Sequence, residues 1–278
     1  MEAIQHERCT ALLGVPTILF DLLHHKHRHE FDLKSLQLIV LSGTPVSATF
    51  IRRIESELEI PYVVQVYGQT ESGRIATTSF VPSDHLVQRY ESMGKCVPRR
   101  EIKIIDVNSK RIVPLGETGE ICTRSFHTMC GYWLDEQKTR EAIDNTQWMH
   151  TGDLGAIDAD GCVYFHGRVR DMIIRGGINI FPLEIETCLE QHDSIQKAQV
   201  FGIPDERLGE IVCAFTIVKR EIDEKELRSF LRKHLAYFKI PTYIRTVDEF
   251  PVTIGGKIQK FKLAAIMKQR LVNENKAV

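Results

Sequence analysis

The sequence has no long hydrophobic run. No apolar stretch approaches the roughly 20 residues that a helix needs to span a bilayer, and the first residues, MEAIQHERCT, are too polar and too short for a signal peptide. We therefore expect a soluble intracellular protein, cytoplasmic or mitochondrial, with no transmembrane segment. Net charge is also nearly absent, since 36 basic residues offset 37 acidic ones to leave −1. That balance indicates no polyanionic partner, so nucleic-acid binding is not expected.

Cys-x-x-Cys pairs are missing as well. The cysteines are odd in number and far apart: Cys9, Cys96, Cys122, Cys130, Cys162, Cys188 and Cys213. This usage favours reduced thiols and argues against a disulfide framework or a structural zinc site. The 278 residues are 43% hydrophobic and 26% charged, which is enough apolar content for a large core in one or two domains.

Four histidines crowd into the segment HHKHRHE: His24, His25, His27 and His29. Such a cluster allows a metal site. Metal ligands, however, need neighbours that hold and orient them, whereas Lys26 and Arg28 alternate with these imidazoles. We favour a solvated loop over a metal site.

Residues 4–66 alternate between helical and strand-like apolar patterns, which is typical of a doubly wound α/β layer. The predicted elements are strands at 36–41 and 62–66 and helices at 17–23 and, capped by Ser47, at 48–58. Loops at the carboxyl ends of parallel strands form the ligand crevice of such sheets. The sequence therefore predicts binding residues in Ser42-Gly43-Thr44-Pro45 and in Tyr67-Gly68.

From residue 93 to 167 the pattern changes to short strands separated by Gly and Pro, which predicts a small distorted β-barrel. The predicted elements are strands at 101–107, 120–124 and 162–166 and a helix at 136–143. Gly167 and three charged residues, Arg168, Arg170 and Asp171, then interrupt the apolar pattern. We interpret this break as the point where the chain changes domain.

Beyond Asp171 the pattern predicts a compact α+β unit. Its predicted elements are helices at 182–191 and from the Asp223 cap to 234, strands at 195–203, 210–219 and 242–247, and a basic amphipathic final helix. A unit of this length is large enough to fold around a core of its own.

A carboxylate follows a glycine in Thr151-Gly152-Asp153, between two apolar runs. Glycine lets the backbone turn tightly, and an exposed carboxylate can accept hydrogen bonds from two vicinal ribose hydroxyls. We therefore expect Asp153 to be exposed and to face the sugar of a nucleotide.

Five motifs in this order carry a family resemblance: YGQTE (67–71), TGD (151–153), GRVRDMIIRGG (167–177), FPLEIE (181–186) and PVTIGGKIQKFKL (251–263). Together they resemble the adenylate-forming superfamily of acyl-CoA synthetases, luciferases and peptide-synthetase adenylation domains. The sequences of the motifs DMIIRGG and GGKIQKFKL are most similar to those of medium-chain fatty acyl-CoA synthetases.

The resemblance implies a fold of two parts. Residues 1–169 would be the C-terminal portion of the large AMP-binding domain, with an α/β layer to about 92 and a β-barrel remnant to 169. Residues 170–278 would be the small mobile α+β C-terminal domain. The Ser/Thr/Gly-rich phosphate loop of the family is not found between Met1 and Tyr67. We therefore expect the C-terminal part of a longer enzyme, with exposed apolar faces that favour a partner or aggregation.

The resemblance also implies roles for individual residues. The nucleotide would be bound by Ser42, Gly43, Thr44, Tyr67, Gly68, Thr70, Asp153 and Arg168. Glu71 would bind Mg²⁺, Lys257 would be catalytic, Gly177 would line the CoA tunnel and Arg170 would be the hinge. A glycine at 177 would keep the tunnel wide, and Gly68 would leave room for a longer acyl chain.

For four of these residues a simpler structural interpretation stays open. Thr70 and Glu71 would instead cap a following helix, Arg168 would pair with Asp171 or Asp153, and Lys257 would be a surface lysine in a flexible turn.

The expected activity joins a carboxylic acid, ATP and CoA into acyl-CoA, AMP and pyrophosphate, with Mg²⁺ as the metal. Activation brings two anions together, so a mobile cation is needed, and Lys257, directly after the flexible pair Gly255-Gly256, suits that task. Two alternatives stay open. One is a truncated inactive product that keeps a nucleotide- or partner-binding surface, and the other is a luciferase-like oxygenase or amino-acid adenylation domain.

Overall fold

The computed structural model of the protein describes residues 1–43, 46–79, 90–252 and 258–276. The chain divides into two compact units, residues 1–165 and residues 166–278. The domain boundary inferred from the sequence, after residue 169, lies a few residues further along and stays a prediction. In the described ranges, no helix is both long enough and apolar enough to cross a membrane.

The first unit begins with a layer of alternating helices and strands. Its elements are α1 (Glu2–His6), β1 (Ala11–Gly14), α2 (Pro16–His24), β2 (Leu38–Leu41), α3 (Ala48–Leu58) and β3 (Tyr62–Tyr67). Strands β1, β2 and β3 are parallel neighbours, and β4 (Thr77–Thr78) and β5 (Lys95–Cys96) continue the sheet in antiparallel pairs. The predicted α/β layer is confirmed, as is the Ser47 cap, whose Oγ accepts a hydrogen bond from Phe50 N at 3.2 Å.

The core of this layer lies on one face of the parallel sheet. Ile51 and Ile54 of α3 are fully buried and belong to one cluster with Leu19 of α2 and Ile39 of β2. Successive strand residues point to opposite faces, and Leu13 of β1 is 68% exposed. The parallel sheet therefore keeps apolar side chains on its surface.

An antiparallel sheet follows in the region where the sequence predicts a barrel. It has the order β6 (Arg100–Ile105), β7 (Gly119–Ser125), β8 (Met149–Ile157) and β9 (Val163–Arg168), and α4 (Glu136–Ala142) is inserted before β8. Asp135 caps α4 by accepting a hydrogen bond from Lys138 N at 3.0 Å. The predicted strands and helix are confirmed, whereas closure of this sheet into a barrel stays a prediction.

The second unit has one mixed sheet. Its strands are β10 (Ile173–Arg175), β11 (Ile178–Ile180), β12 (Ile195–Asp205), β13 (Gly209–Val218) and β14 (Tyr243–Thr246). Their order is β11-β10-β13-β12, and β14 pairs in parallel with β13. The helices are α5 (Pro182–Glu190), α6 (Glu224–His234) and α7 (Lys260–Lys276). The predicted α+β unit is confirmed, although its mobility stays a prediction.

Helices cover both faces of that sheet. Val200 of β12 packs in one cluster with Leu189 of α5 and Leu231 of α6. The next residue, Phe201, packs in a second cluster with Phe215 and with Met267 of α7. Because successive strand residues face opposite sides, the two clusters are the two sides of one sheet.

Candidate active site

The carboxyl ends of the parallel strands bring two predicted binding segments to one edge of the sheet. Ser42 and Gly43 follow β2, and Tyr67 ends β3, which is the parallel neighbour of β2. Ser42 N donates to the carbonyl of Gly14 at 3.2 Å, so the start of its loop is tied to the end of β1. Thr44 lies outside the described residues.

Asp153 is buried in β8 and is only 3% exposed. Its Oδ2 accepts hydrogen bonds from the Tyr67 hydroxyl at 3.0 Å and from Gln69 Nε2 at 2.7 Å. The expectation of an exposed carboxylate is therefore wrong, because the end of β3 covers it. Hydrogen bonds to a charged acceptor are stronger than those between neutral groups, so the carboxylate is oriented before any ligand arrives.

A bulge in β8 explains why this carboxylate faces β3. Glu120 of β7 pairs with Leu154 and Cys122 pairs with His150, which leaves three residues of β8 opposite Ile121 alone. Side chains satisfy the freed backbone donors, since Glu120 Oε1 accepts from Gly152 N at 3.2 Å and Thr151 Oγ1 accepts from Asp153 N at 3.1 Å. Gly152 has a φ of +67°, which favours glycine.

Gln69 and Glu120 are positioning residues that the sequence-based reasoning did not single out. Gln69 Nε2 also donates to the carbonyl of Thr151 at 2.9 Å, so its amide fixes both the bulge and the carboxylate. The only available signal for Gln69 was its place inside the YGQTE motif. Glu120 gave no signal, because its partner Gly152 is distant in the sequence.

Thr70 and Glu71 lie in a hydrogen-bonded turn after β3. Thr70 is exposed and Glu71 is half-buried, and Glu71 Oε1 accepts a hydrogen bond from the Tyr132 hydroxyl at 3.2 Å. The alternative that these two residues cap a helix is wrong, because the turn leads into β4. Burial and the Glu71 carboxylate raise the pKa of Tyr132, so its hydroxyl stays a donor at neutral pH.

Gly68 is fixed by close backbone packing. A Cβ atom at this position would lie 1.3 Å from the carbonyl oxygen of Arg74. The turn closes tightly because Ala76 N donates to the Tyr67 carbonyl at 2.7 Å. The structure thus gives a local reason for glycine, and its predicted effect on acyl-chain length stays a prediction.

Gly177 lies in a two-residue hairpin between β10 and β11, with Gly176. Arg175 pairs with Ile178 across it, and the two glycines have φ values of +57° and +82°. Two positive φ angles are what a type I′ turn requires. No atom lies within 4 Å of where a Cβ of Gly177 would stand. The turn conformation gives a local reason for this glycine, and its predicted place in the CoA tunnel stays a prediction.

Three other predicted residues belong to the second unit. Arg168 ends β9, and Arg170 lies in the short 3₁₀ turn Val169–Asp171. Arg170 is exposed, and its Nε lies 3.7 Å from Asp171 Oδ1. Lys257 is outside the described residues, and Val252 and Ile258 form an antiparallel bridge. The roles of these residues stay predictions.

The histidine cluster does not form a metal-binding arrangement. His24, His25, His27 and His29 are exposed, and His27 Nδ1 lies 2.7 Å from Glu30 Oε1. Among the described residues, the group of side chains close enough to hold one ion is a different one, Glu120, Cys122 and His150.

Comparison with known proteins gives two family matches. Residues 1–133 match the AMP-binding enzyme family, and residues 184–257 match the AMP-binding enzyme C-terminal domain. The chain is 38% identical over 273 residues to the mitochondrial medium-chain acyl-CoA ligase ACSF2 of Homo sapiens, covering 98% of this chain and 44% of that protein. The chain spans about half the length of the curated relatives it matches.

Solved structures are similar over nearly the whole chain. The amide bond synthetase McbA from Marinactinospora thermotolerans aligns with a TM-score of 0.86 and 32% identity, over 96% of this chain and 53% of that one. ATP-bound MatB from Rhodopseudomonas palustris aligns with a TM-score of 0.85 and 29% identity, over 94% of this chain and 52% of that one.

Proposed function

Because the chain belongs to the adenylate-forming superfamily of AMP-binding enzymes, we propose that it acts within an ATP-dependent acyl-CoA synthetase. The reaction converts a fatty acid, ATP and CoA into acyl-CoA, AMP and pyrophosphate through an acyl-adenylate. The observation that carries the proposal is the Asp153 carboxylate, 3% exposed and oriented by Tyr67 and Gln69. A carboxylate fixed at a strand bulge suits recognition of a nucleotide sugar.

The adenosine part is assigned to the carboxyl edge of the parallel sheet. Ser42, Gly43 and Thr44 would contact the base, and the ring of Tyr67 would cover it. The Tyr67 hydroxyl already donates to Asp153, so one side chain would link base recognition to ribose recognition. Arg168, in the second unit, is proposed as a further ribose ligand.

The phosphates and Mg²⁺ are assigned to the turn after β3. Mg²⁺ is held in proteins by one or two carboxylates together with water and phosphate oxygens. The half-buried Glu71 fits this demand, because Tyr132 orients it through one oxygen. The exposed Thr70 hydroxyl would donate to a phosphate oxygen. When bound, the ion would neutralise charge on the phosphates.

Residues of the second unit are assigned to the two chemical steps. Lys257 would stabilise the charge that develops when the carboxylate attacks the α-phosphate, which a compact ammonium on a flexible stem suits. Arg170 would be the pivot that lets CoA reach the acyl-adenylate, and Gly177 would contact CoA. The exposure of Arg170 agrees with a residue that changes conformation.

A medium-chain acid is the proposed substrate. The sequence of the GGKIQKFKL motif supports it, as does the 38% identity to a protein named as a medium-chain acyl-CoA ligase. The second candidate function is amide-bond formation from the same adenylate, which the similarity to McbA favours. The two differ only in the nucleophile that takes the acyl group.

A chimera tests the proposal, because the chain spans about half the length of the curated relatives it matches. The N-terminal half of human ACSF2, joined to residues 1–278, should form an acyl-thioester from a medium-chain acid, ATP, Mg²⁺ and CoA. Supplying an amine in place of CoA separates the second candidate. Formation of an amide but no thioester would contradict the proposal.

The Lys257→Ala variant of the chimera isolates the first step. We expect adenylate formation to fall by about 10²–10³-fold or more, while thioester formation from supplied acyl-adenylate is kept. Lys262→Ala, a nearby exposed lysine of α7, is the matched control and should leave both steps unchanged. An equal loss of both steps in Lys257→Ala would refute its assignment.

A further inference from the structure

A group of metal-ligating side chains lies outside the residues assigned to the nucleotide. Cys122 of β7 pairs across the sheet with His150 of β8, and Glu120 stands two residues before Cys122. Residues two apart on a strand share a face, so Glu120, Cys122 and His150 project to the same side. Ile121, between them, packs with Tyr67 in the core on the other side. The group is therefore on the opposite face of the sheet from the end of β3.

Two of the three distances within the group are close to those around one zinc ion. Cys122 Sγ lies 3.7 Å from His150 Nδ1, and Glu120 Oε2 lies 3.1 Å from the same nitrogen. All three ligand atoms lie within 4.8 Å of one another. Zinc binds sulfur at about 2.3 Å and nitrogen or oxygen at about 2.0–2.1 Å in a tetrahedron, which separates sulfur from nitrogen by about 3.6 Å and nitrogen from oxygen by about 3.4 Å.

A second carboxylate, that of Asp144, lies near the other ring nitrogen of His150. Asp144 Oδ2 lies 3.8 Å from His150 Nε2, and Asp144 Oδ1 accepts hydrogen bonds from Thr146 N at 2.8 Å and Trp148 N at 3.0 Å. Metal-binding histidines almost always present their other ring nitrogen to a carboxylate, carbonyl or water. Asp144 is held on the side of the imidazole where such a partner is required, at a distance slightly beyond hydrogen-bond length.

The group can be reached from solvent. Glu120 and His150 line a surface cavity of about 410 Å³, together with Asp144 and Lys110. Cys122 is fully buried beneath them, and burial raises the pKa of its thiol to about 12. Lys110 Nζ lies 3.5 Å from Glu120 Oε2, but its side chain is 56% exposed and can turn away into solvent.

From this geometry we propose that Glu120, Cys122 and His150 bind one thiophilic divalent cation of the zinc class. Water from the cavity supplies the fourth ligand, and Asp144 positions His150. The cation replaces the proton of the Cys122 thiol and takes the place of Lys110 at Glu120. Since Glu120 also accepts from Gly152 N, the ion fixes the strand bulge from the face opposite Asp153.

The test is a titration of the full chain with Co²⁺ and with Cd²⁺, followed by the thiolate-to-metal absorption band and by the number of ions bound. We expect one ion per chain and the loss of the band in Cys122→Ser. Cys96→Ser is the matched control, because Cys96 is an exposed thiol that contacts backbone carbonyls, and it should keep the band. Asp144→Asn should weaken binding by about 10- to 100-fold.

Lys110→Met separates this site from a simple ion pair. Removal of the competing ammonium should raise the affinity of the site for the cation, whereas an unchanged or weaker affinity contradicts an ion at Glu120. Circular dichroism establishes that each variant folds, and Cys122→Ala replaces Cys122→Ser if the latter does not. A chain that binds no ion, or a band that survives in Cys122→Ser, overturns the proposal.

Discussion

Residues 166–278 cover both faces of their sheet with helices, whereas residues 1–165 leave apolar side chains of a parallel sheet in solvent. In the second unit, Leu231 and Met267 are fully buried on opposite sides. In the first, Leu13 of β1 is 68% and Tyr62 of β3 is 47% exposed. Parallel sheets in α/β proteins are normally covered on both faces. The comparison indicates that the second unit covers both faces of its sheet with its own helices, whereas the face of the first sheet that carries Leu13 is left open to solvent.

Among the described residues, buried polar side chains are more numerous in the first unit than in the second. In the described parts of the first unit they include Gln65, Ser72, Ser79, Glu120 and Asp153, whereas those of the second are Glu186, Ser194 and Thr216. A buried polar group must be hydrogen-bonded to be tolerated. The first unit therefore carries the costly, oriented groups that a binding site needs, and the second carries the more apolar core.

Expressing the two units as separate fragments should show the largest difference between them in folding. We expect residues 166–278, expressed alone, to fold cooperatively and resist proteolysis, because both faces of the sheet are covered. Residues 1–165 alone should expose apolar surface and self-associate. Size-exclusion chromatography, circular dichroism and limited proteolysis measure this. A monomeric, cooperatively folded first fragment would remove the contrast between the units.

The same substitution at two leucines should sharpen the contrast. Leu231→Ala, at a fully buried position of α6, should lower the free energy of unfolding by about 2–5 kcal/mol. Leu13→Ala, at the open face of β1, should change it by no more than about 0.5 kcal/mol. Urea denaturation of the full chain reports both. Equal losses would mean that the face bearing Leu13 is covered in solution.

Tyr67→Phe should cost less than Leu231→Ala but should act on the polar site. The variant removes the hydroxyl that donates to Asp153 at 3.0 Å, and a hydrogen bond to a charged group contributes about 1.5–3 kcal/mol. Tyr237→Phe, at a side chain that is 83% exposed in the second unit, is the control and should be neutral. If Tyr67→Phe were neutral too, the network around Asp153 would not stabilise the fold.

The smallest expected effect is a pH dependence in the second unit. Burial lowers the pKa of His166, so the unfolded chain binds this proton more readily than the folded chain. The contribution to stability is present above the ordinary pKa of about 6.5 and is lost as pH falls through the lower folded-state pKa. Between neutral and acidic pH, the free energy of unfolding measured by denaturation should change less steeply with pH in His166→Gln than in the original chain. His234→Gln, at an exposed imidazole, should keep the original slope.

Periodic features were predictable from the sequence because they depend on local patterns. The Ser47 cap, the face of α3 that carries Ile51 and Ile54, and the helix that begins at Pro182 follow from capping and apolar spacing. Positions at the ends of β2 and β3 followed from the rule that parallel strands direct their loops to one edge.

Features that depend on distant pairs were not predictable. The burial of Asp153 comes from Tyr67, which is 86 residues away in the sequence. Gly68 is required by the close approach of the Arg74 backbone, which residue type alone does not show. Cys122 and His150 are 28 residues apart, so no spacing rule for metal ligands could have joined them.

The bulge in β8 also limits which insertions and deletions the gene can accept. Three residues face Ile121 where a regular ladder would place one, so the surplus is two residues. Because side chains alternate with a period of two, this even surplus keeps His150 and Leu154 on one side of the sheet. Losing a single codon between 151 and 153 would invert every later side chain of the strand, whereas losing two would restore a regular ladder without the bulge. Length variation here should therefore be tolerated in pairs or not at all.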